Sequence, residues 1–336
     1  MDKRVIFAVA GSGKTTHIVD SLSKEKRSLI VTYTVVNKEN LRKKIEKKYN
    51  GVWPDNITLM TYFSFLFRFC YKPFMADLIP ARGVVFDKNP DRYAKKDNIR
   101  YYMSDGGYFY SNRLSMILQK NSVMDEIKNR ITKYFDEFII DEVQDIAGRD
   151  FTFLEKLMDT DVNQLFVGDF YQHTYDTSRD GNVNKTLFNN RLEYEQRFIN
   201  KGFLCDSTSL VNSWRCSKTI CQFIVDNLGI EIYSNRSKDD DTEIKYINDS
   251  RERDMILLDS DIVKLHYSKG TLYGLGHYNW GEMKGEDKYN DVCVFLNKTT
   301  AKAYDSGKLQ YLAPSTRNKL YVAITRAHGN VYFVKE

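Results

Sequence analysis

Three clusters in this chain have residue types and spacing suited to chemistry on a phosphate. The first is Ala8 to Thr16, A-V-A-G-S-G-K-T-T, set between the apolar run Val5-Ile6-Phe7 and a segment of helical character, residues 16–22. Strand, glycine-rich loop and helix in that order form the setting of a phosphate-binding loop. Gly11 and Gly13 let the amides of Ala10, Ser12 and their neighbours turn inward with no Cβ in the way, and the helix presents its positive end to an anion. Lys14 would reach the β- and γ-phosphates of a nucleoside triphosphate, and the Thr15 hydroxyl, with Thr16 beside it, would ligate Mg²⁺. Ala8 stands where such loops usually open with glycine, and is small enough for the same turn. The second cluster is Asp141-Glu142, delivered at the end of the apolar strand Phe138-Ile139-Ile140. There Asp141 would hold Mg²⁺ through water and Glu142 would activate the attacking water. The third is Gln172, in G-D-F-Y-Q after the strand Asn163 to Val167, where a side-chain amide could sense a γ-phosphate.

The elements that must position these groups alternate between strand and helix. Leu29 to Thr34 reads as a buried strand, Val36 to Tyr49 as a lysine-rich helix, and Ile57 to Thr61 as a third strand. Tyr33 and Thr34 then fall at a strand's carboxyl end, the edge where open α/β sheets bind ligands. The helix lysines suit a solvated face as well as nucleic-acid contact. The aromatic run from Tyr62 to Phe69 is core by composition, with Tyr62 and Phe63, nearest the strand end, the best placed to stack on bases. Residues 71–134 hold twelve basic against seven acidic side chains and seven tyrosines. That mixture suits an insertion facing nucleic acid or an ordinary surface insertion. Residues 176–186 read as a hinge, 187–198 as a helix, and 209–224 as the start of a second domain with Arg215 just before a helix. Residues 235–261 read as an exposed loop or hairpin, 291–296 as a strand, 318–327 as a helix carrying Arg326, and 331–334 as a closing strand.

At 336 residues, with a net charge of +5, the chain is long enough for two cores and is not a polycation. Its five cysteines are scattered without a C-x-x-C pair, which favours buried thiols in a reducing compartment over a zinc site. No apolar stretch approaches the ~18 residues of a membrane span, and the first strand begins at once, so no signal peptide is expected. Cytoplasmic residence is the expectation. The Lys-, Asn- and Tyr-rich composition suits a phage or an AT-rich bacterial genome.

The order of these motifs resembles the UvrD/Rep-like branch of superfamily 1 helicases. A-V-A-G-S-G-K-T is similar to that family's motif I, T-Y-T-V-V-N-K to motif Ia, D-E-V-Q-D to motif II and V-G-D-F-Y-Q-H-T-Y to motif III. N-S-W-R-C-S is similar to motif IV and V-A-I-T-R-A to motif VI. The resemblance implies an α/β fold of two RecA-like parallel-sheet domains in tandem, 1–175 and 176–336, with a small insertion at 72–134 in the first. It implies a motor that hydrolyses ATP with Mg²⁺ while moving 3′ to 5′ on single-stranded DNA. Asp141 and Glu142 keep the roles given above, Gln172 couples nucleotide state to the strand, and Arg215 and Arg326 reach the γ-phosphate. Tyr33, Thr34, Asn37 and Tyr62 lie on the strand-binding face, with Phe63 beside them. For motif V, Met283-Lys284-Gly285 is preferred over Ser268-Lys269-Gly270 because acidic residues and a strand follow it; Glu286 or Asp287 would then bind the ribose hydroxyl. Three departures stand out: no segment precedes the phosphate loop to read adenine, the insertions are short, and His173 replaces the usual serine. They keep open an alternative in which the chain is a nucleotide-gated DNA-binding subunit that licenses a partner such as a nuclease. RNA in place of DNA also stays open.

Overall fold

The computed structural model describes all residues but 92, 175–181, 238–240 and 286–287. The chain divides into two compact units. The first comprises Met1–Ile6, Thr15–Gly168 and Asp176–Asp206; the second comprises Phe7–Lys14, Asp169–Tyr175 and Ser207–Glu336.

The first unit is built on a six-stranded sheet. Its strands are β1 (Lys3–Phe7), β2 (Ser28–Thr32), β3 (Ile57–Thr61), β6 (Glu137–Asp141), β7 (Asn163–Gly168) and β8 (Leu204–Asp206), in the order β3-β2-β6-β7-β1-β8. A separate two-stranded ladder pairs β4 (Gly83–Val85) with β5 (Tyr108–Tyr110). Pairings β2–β3, β2–β6, β6–β7 and β1–β8 are all parallel. Every residue of β2 is buried, as expected of a parallel strand covered on both faces. Thr34 caps the helix Val35–Lys48, its Oγ1 accepting from Asn37 N–H at 3.0 Å. Two of that helix's lysines work inside the unit. Lys48 donates to the carbonyls of Val19 and Leu22, where the helix Lys14–Ser21 ends, and Lys44 donates to Thr16 Oγ1. The aromatic run forms a π-helix over Phe65–Tyr71, and Phe65 packs on Phe138 with centroids 5.9 Å apart. Its core assignment holds. Residues 72–134, expected to form an insertion, hold the β4–β5 ladder and the helices Ser111–Lys120 and Met124–Tyr134.

The second unit pairs β9 (Asn212–Ser213) with β10 (Tyr233–Ser234) and holds a five-stranded sheet, all of its pairings parallel. That sheet runs β11 (Ile244–Tyr246), β15 (Val331–Lys335), β14 (Val292–Leu296), β12 (Val263–His266) and β13 (His277–Asn279). The α/β class with two parallel sheets is as the sequence implies. Ser217 caps the helix Lys218–Leu228, which ends at left-handed Gly229.

Two expectations need correction. Residues 235–261 are not merely a loop or hairpin: they contribute edge strand β11 and the helix Ser250–Leu258, capped by Asp249 and burying Ile256. The helix expected at 318–327 spans Pro314–Ile324, because Pro314 suits a first turn. Arg326 therefore lies past its end. Of the residues expected to form a hinge, 176–181 fall outside the described residues.

In β12, His266 is sandwiched between Tyr273 and Phe295, with centroids 4.5 and 4.2 Å away, and its Nε2 lies 2.9 Å from His277 Nδ1. Burial, reinforced by His277, pushes its pKa down to about 4, although the Glu336 carboxylate stands 3.7 Å from Nδ1. The folded state thus favours the neutral ring. This contribution is complete above the unfolded value of about 6.5 and is lost as pH falls from there toward 4. Melting curves between pH 7.5 and 4.5 should show a destabilisation of roughly 1–3 kcal/mol from this group, and His266→Phe should flatten the profile. Identical profiles for the two proteins would contradict the assignment.

Candidate functional site

In the second unit the phosphate loop is a tight turn. Gly11 and Gly13 adopt φ of +71° and +88°, and Ser12 N–H closes the turn on Val9 O at 3.3 Å. Successive amides in such a turn form an anion-binding concavity. The loop is fastened on both sides: Val9 N–H donates to Leu210 O at 3.0 Å, and Gly11 O accepts from Trp214 N–H at 2.9 Å. A Cβ on Gly11 would lie 2.7 Å from both Arg215 Cβ and Ser213 Oγ. Gly11 is therefore required twice, by its conformation and by this approach. Ser213 Oγ in turn accepts from Arg215 N–H and Cys216 N–H at 3.3 and 3.0 Å, shaping the bend that sets Arg215 against the loop. Lys14 is buried at the start of its helix.

The two candidate arginines are placed differently. Arg215 Nη1 donates to Thr325 O at 3.1 Å, next to Arg326 in sequence. Arg326 is almost wholly buried and donates to Val322 O and Met283 O, both at 3.2 Å. Arg236 joins their neighbourhoods by donating to Arg215 O at 2.9 Å and His328 O at 2.6 Å. Gln172 is buried on the short turn Phe170–Gln172, capped by Asp169. Both motif V tripeptides are structured. Met283 is buried under Arg326, while Gly270 sits so close to the Tyr278 backbone that a Cβ would overlap it. Glu286 and Asp287 lie outside the described residues.

In the first unit, Asp141 ends β6, buried, with Thr32 Oγ1 3.4 Å from its Oδ2. Glu142 follows with φ +58° and ψ +47°. A non-glycine residue in the left-handed region is strained, and such strain concentrates at working sites. Gln144 secures it by donating from its amide to Glu142 Oε2. Gly168 makes the room: a Cβ there would overlap Gln144 Oε1 and approach Val143 Cγ1 to 2.9 Å. Thr15 is half-buried. Its hydroxyl and the Asp141 carboxylate are hard oxygen donors of the kind Mg²⁺ takes. Among the described residues no group of three or more His, Cys, Asp or Glu could hold a metal. The donor set suits an ion that completes its shell with phosphate and water.

The candidate strand face also lies in the first unit. Tyr33 is half-buried, stacked on Tyr62 with centroids 6.1 Å apart, and Phe63 meets it edge-on at 5.7 Å. Tyr62 itself is buried, and burial together with the Asp150 carboxylate pushes its phenol pKa well up. It supports Tyr33 and Phe63 rather than offering its own ring to solvent. Thr34 and Asn37 form the cap described above. Phe86, just after β4 and 69% exposed, extends this aromatic row by meeting Phe63 edge-on at 4.9 Å. Sequence reasoning passed over Phe86, since nothing local ties it to Phe63. It also passed over Trp214, 65% exposed beside Gly13, although an indole in a polar stretch was a visible signal.

The family model described as an AAA domain (AAA_19) matches residues 2–178, and the chain belongs to that family. No curated protein matches it. Among solved structures, the fold is similar to that of the helicase of PRRSV, with a TM-score of 0.50 and 13% identity over 99% of this chain and 52% of that one. It is likewise similar to arterivirus nonstructural protein 10 (helicase), solved in complex with DNA, with a TM-score of 0.51 and 15% identity over 99% of this chain and 60% of that one. The chain thus spans roughly half to three fifths of those helicases' length. The likeness to these helicases is one of fold.

Gly11→Ala should lower nucleotide affinity at least about tenfold and cost about 1–2 kcal/mol of stability. Gly51→Ala is the control, because Gly51 has φ +85° but nothing within 4 Å of its Cβ position. It should cost stability alone. Titration with a fluorescent nucleotide and thermal melts check both; equal losses of binding would show that loop geometry is not what matters.

Proposed function

We propose that this chain is a nucleoside triphosphate-driven motor on single-stranded nucleic acid, of the UvrD/Rep-like kind, with ATP as fuel and DNA as track. The observation that carries the reading is the seating of the glycine loop against Ser213–Arg215, which puts a guanidinium-bearing turn beside a phosphate-binding loop. In this reading the amides of Gly11 and Gly13 and the Lys14 ammonium hold the phosphates, Ala10 N–H stays on the Tyr321 hydroxyl and Ser12 N–H on Val9 O, while Thr15 and Asp141 hold Mg²⁺. Bound Mg²⁺ supplies positive charge to the phosphate oxygens. Glu142, fixed by Gln144, orients and deprotonates the attacking water, and Gln172 reports the γ-phosphate. Arg215 and Arg326 stabilise the charge of the transferring group. Arg326 must give up its carbonyl partners to do so. Trp214 offers a flat face to a base of either kind, so base selectivity is expected to be loose. Tyr33 and Phe63 stack on strand bases, and Thr34 and Asn37 hold the backbone at that face. Travel runs 3′ to 5′, in a bacterial or phage setting.

The small insertion, a two-stranded ladder with two helices, favours a second reading: a nucleotide-gated strand-binding subunit that licenses a partner such as a nuclease. Phosphate release with ATP, GTP and CTP, each with and without a DNA or RNA oligonucleotide, tests the first reading. ATP hydrolysis should need Mg²⁺ and rise with DNA, and Lys14→Ala should cut it at least about 100-fold, as expected for losing ~2.7 kcal/mol from the transition state. No hydrolysis under any condition would refute the motor. Strand-stimulated hydrolysis without separation of a tailed duplex would move the assignment to the second reading.

A further inference from the structure

One side chain joins the phosphate loop to the turn that carries Gln172. Ala10 N–H donates to the Tyr321 hydroxyl at 2.9 Å, and that hydroxyl donates to Asp169 Oδ2 at 3.1 Å. Asp169 Oδ1 accepts from Tyr171 N–H at 3.1 Å and so caps the turn Phe170–Gln172. All these residues belong to the second unit. Tyr321 and Asp169 are both fully buried. The same helix, Pro314–Ile324, grips the Gln172 turn twice more. Arg317 lies over the Tyr171 ring at 5.5 Å, and Asn318 Nδ2 donates to His173 O at 3.1 Å.

We infer that the Tyr321 hydroxyl is a positioning group that transmits the state of the phosphate loop to the Gln172 turn. A phenol is suited to this because one oxygen accepts and donates at once. Burial and the Asp169 charge raise its pKa well above the ordinary value, so it stays protonated and keeps donating. A shift of the Ala10 amide on phosphate entry must then either carry Asp169 with it or leave a buried donor or acceptor without this partner, an outcome that is costly in a closed interior. The inference rests on the nucleotide-driven reading above, but it can be decided without hydrolysis.

The test compares the full chain with Tyr321→Phe, which keeps the ring and removes only the hydroxyl. Hydrogen–deuterium exchange of segments 8–13 and 169–174 is followed with and without a magnesium-bound non-hydrolysable ATP analogue. In the wild type, nucleotide should slow exchange in both segments; in Tyr321→Phe it should slow the first alone. In steady-state hydrolysis, strand stimulation of kcat should fall about tenfold while KM for ATP stays within about threefold, a split that simple destabilisation does not produce. Should Tyr321→Phe fail to fold, Asp169→Asn breaks the link from the other end, putting an amide donor where Oδ2 accepts. Response of 169–174 in the variants equal to that in the wild type would overturn the inference. So would a wild type in which nucleotide leaves 169–174 unchanged, or parallel changes in KM, kcat and melting temperature. A wild type that binds nucleotide without hydrolysing it counts against the motor, while the exchange result still decides the coupling.

Discussion

The close approach of Gly11 to the Ser213–Arg215 bend is the constraint on which the rest of the site depends. Arg215 Cβ and Ser213 Oγ leave no space there for a methyl group on Gly11, and the approach is secured by the hydrogen bond from Trp214 N–H to Gly11 O. Because that hydrogen bond joins backbone to backbone, the Cα and Cβ of Arg215 are placed by the chain rather than by a rotamer. Ser213 adds to this by accepting from two consecutive amides. The stem of Arg215 is thus fixed beside the phosphate-binding turn, while its guanidinium rests on Thr325 O.

The same economy recurs at the carboxylates. Glu142 is held in a backbone conformation that a glutamate does not choose, costing on the order of 1 kcal/mol or more. The fold retains it because Gln144 bonds its carboxylate and Gly168 leaves Gln144 its space. The glycine before Asp169 therefore serves the carboxylate on the neighbouring strand, and the aspartate after it serves the phosphate loop through Tyr321.

The sequence disclosed those parts of the site whose chemistry is local. Gly11, Gly13 and Lys14 announce a phosphate loop because few other structures need that spacing, and Ile57 to Thr61 is a strand to the residue, set between Asp55-Asn56 and the helix that Thr61 caps. Residues 235–261 misled because their charges outnumber the few apolar residues that decide their structure: Ile244 and Tyr246 on an edge strand and Ile256 on a helix. Tyr62 looked like a stacking ring by its position after a strand, but only the packed structure shows it buried, with its neighbour Phe63 half-buried and the distant Phe86 exposed. Tyr321 lay in the helix expected at 318–327, just before V-A-I-T-R-A. Its partners, Ala10 and Asp169, are more than 150 residues away, and no local pattern encodes such a contact.

The most direct measurement is the calorimetric affinity of the chain for magnesium-bound ATP analogue and for ADP, in the wild type and in Arg215→Ala. If the guanidinium beside the loop reads the terminal phosphate, the wild type will prefer the triphosphate and the variant will lose most of that preference while binding ADP as before. An unchanged preference in Arg215→Ala would contradict the account at its centre.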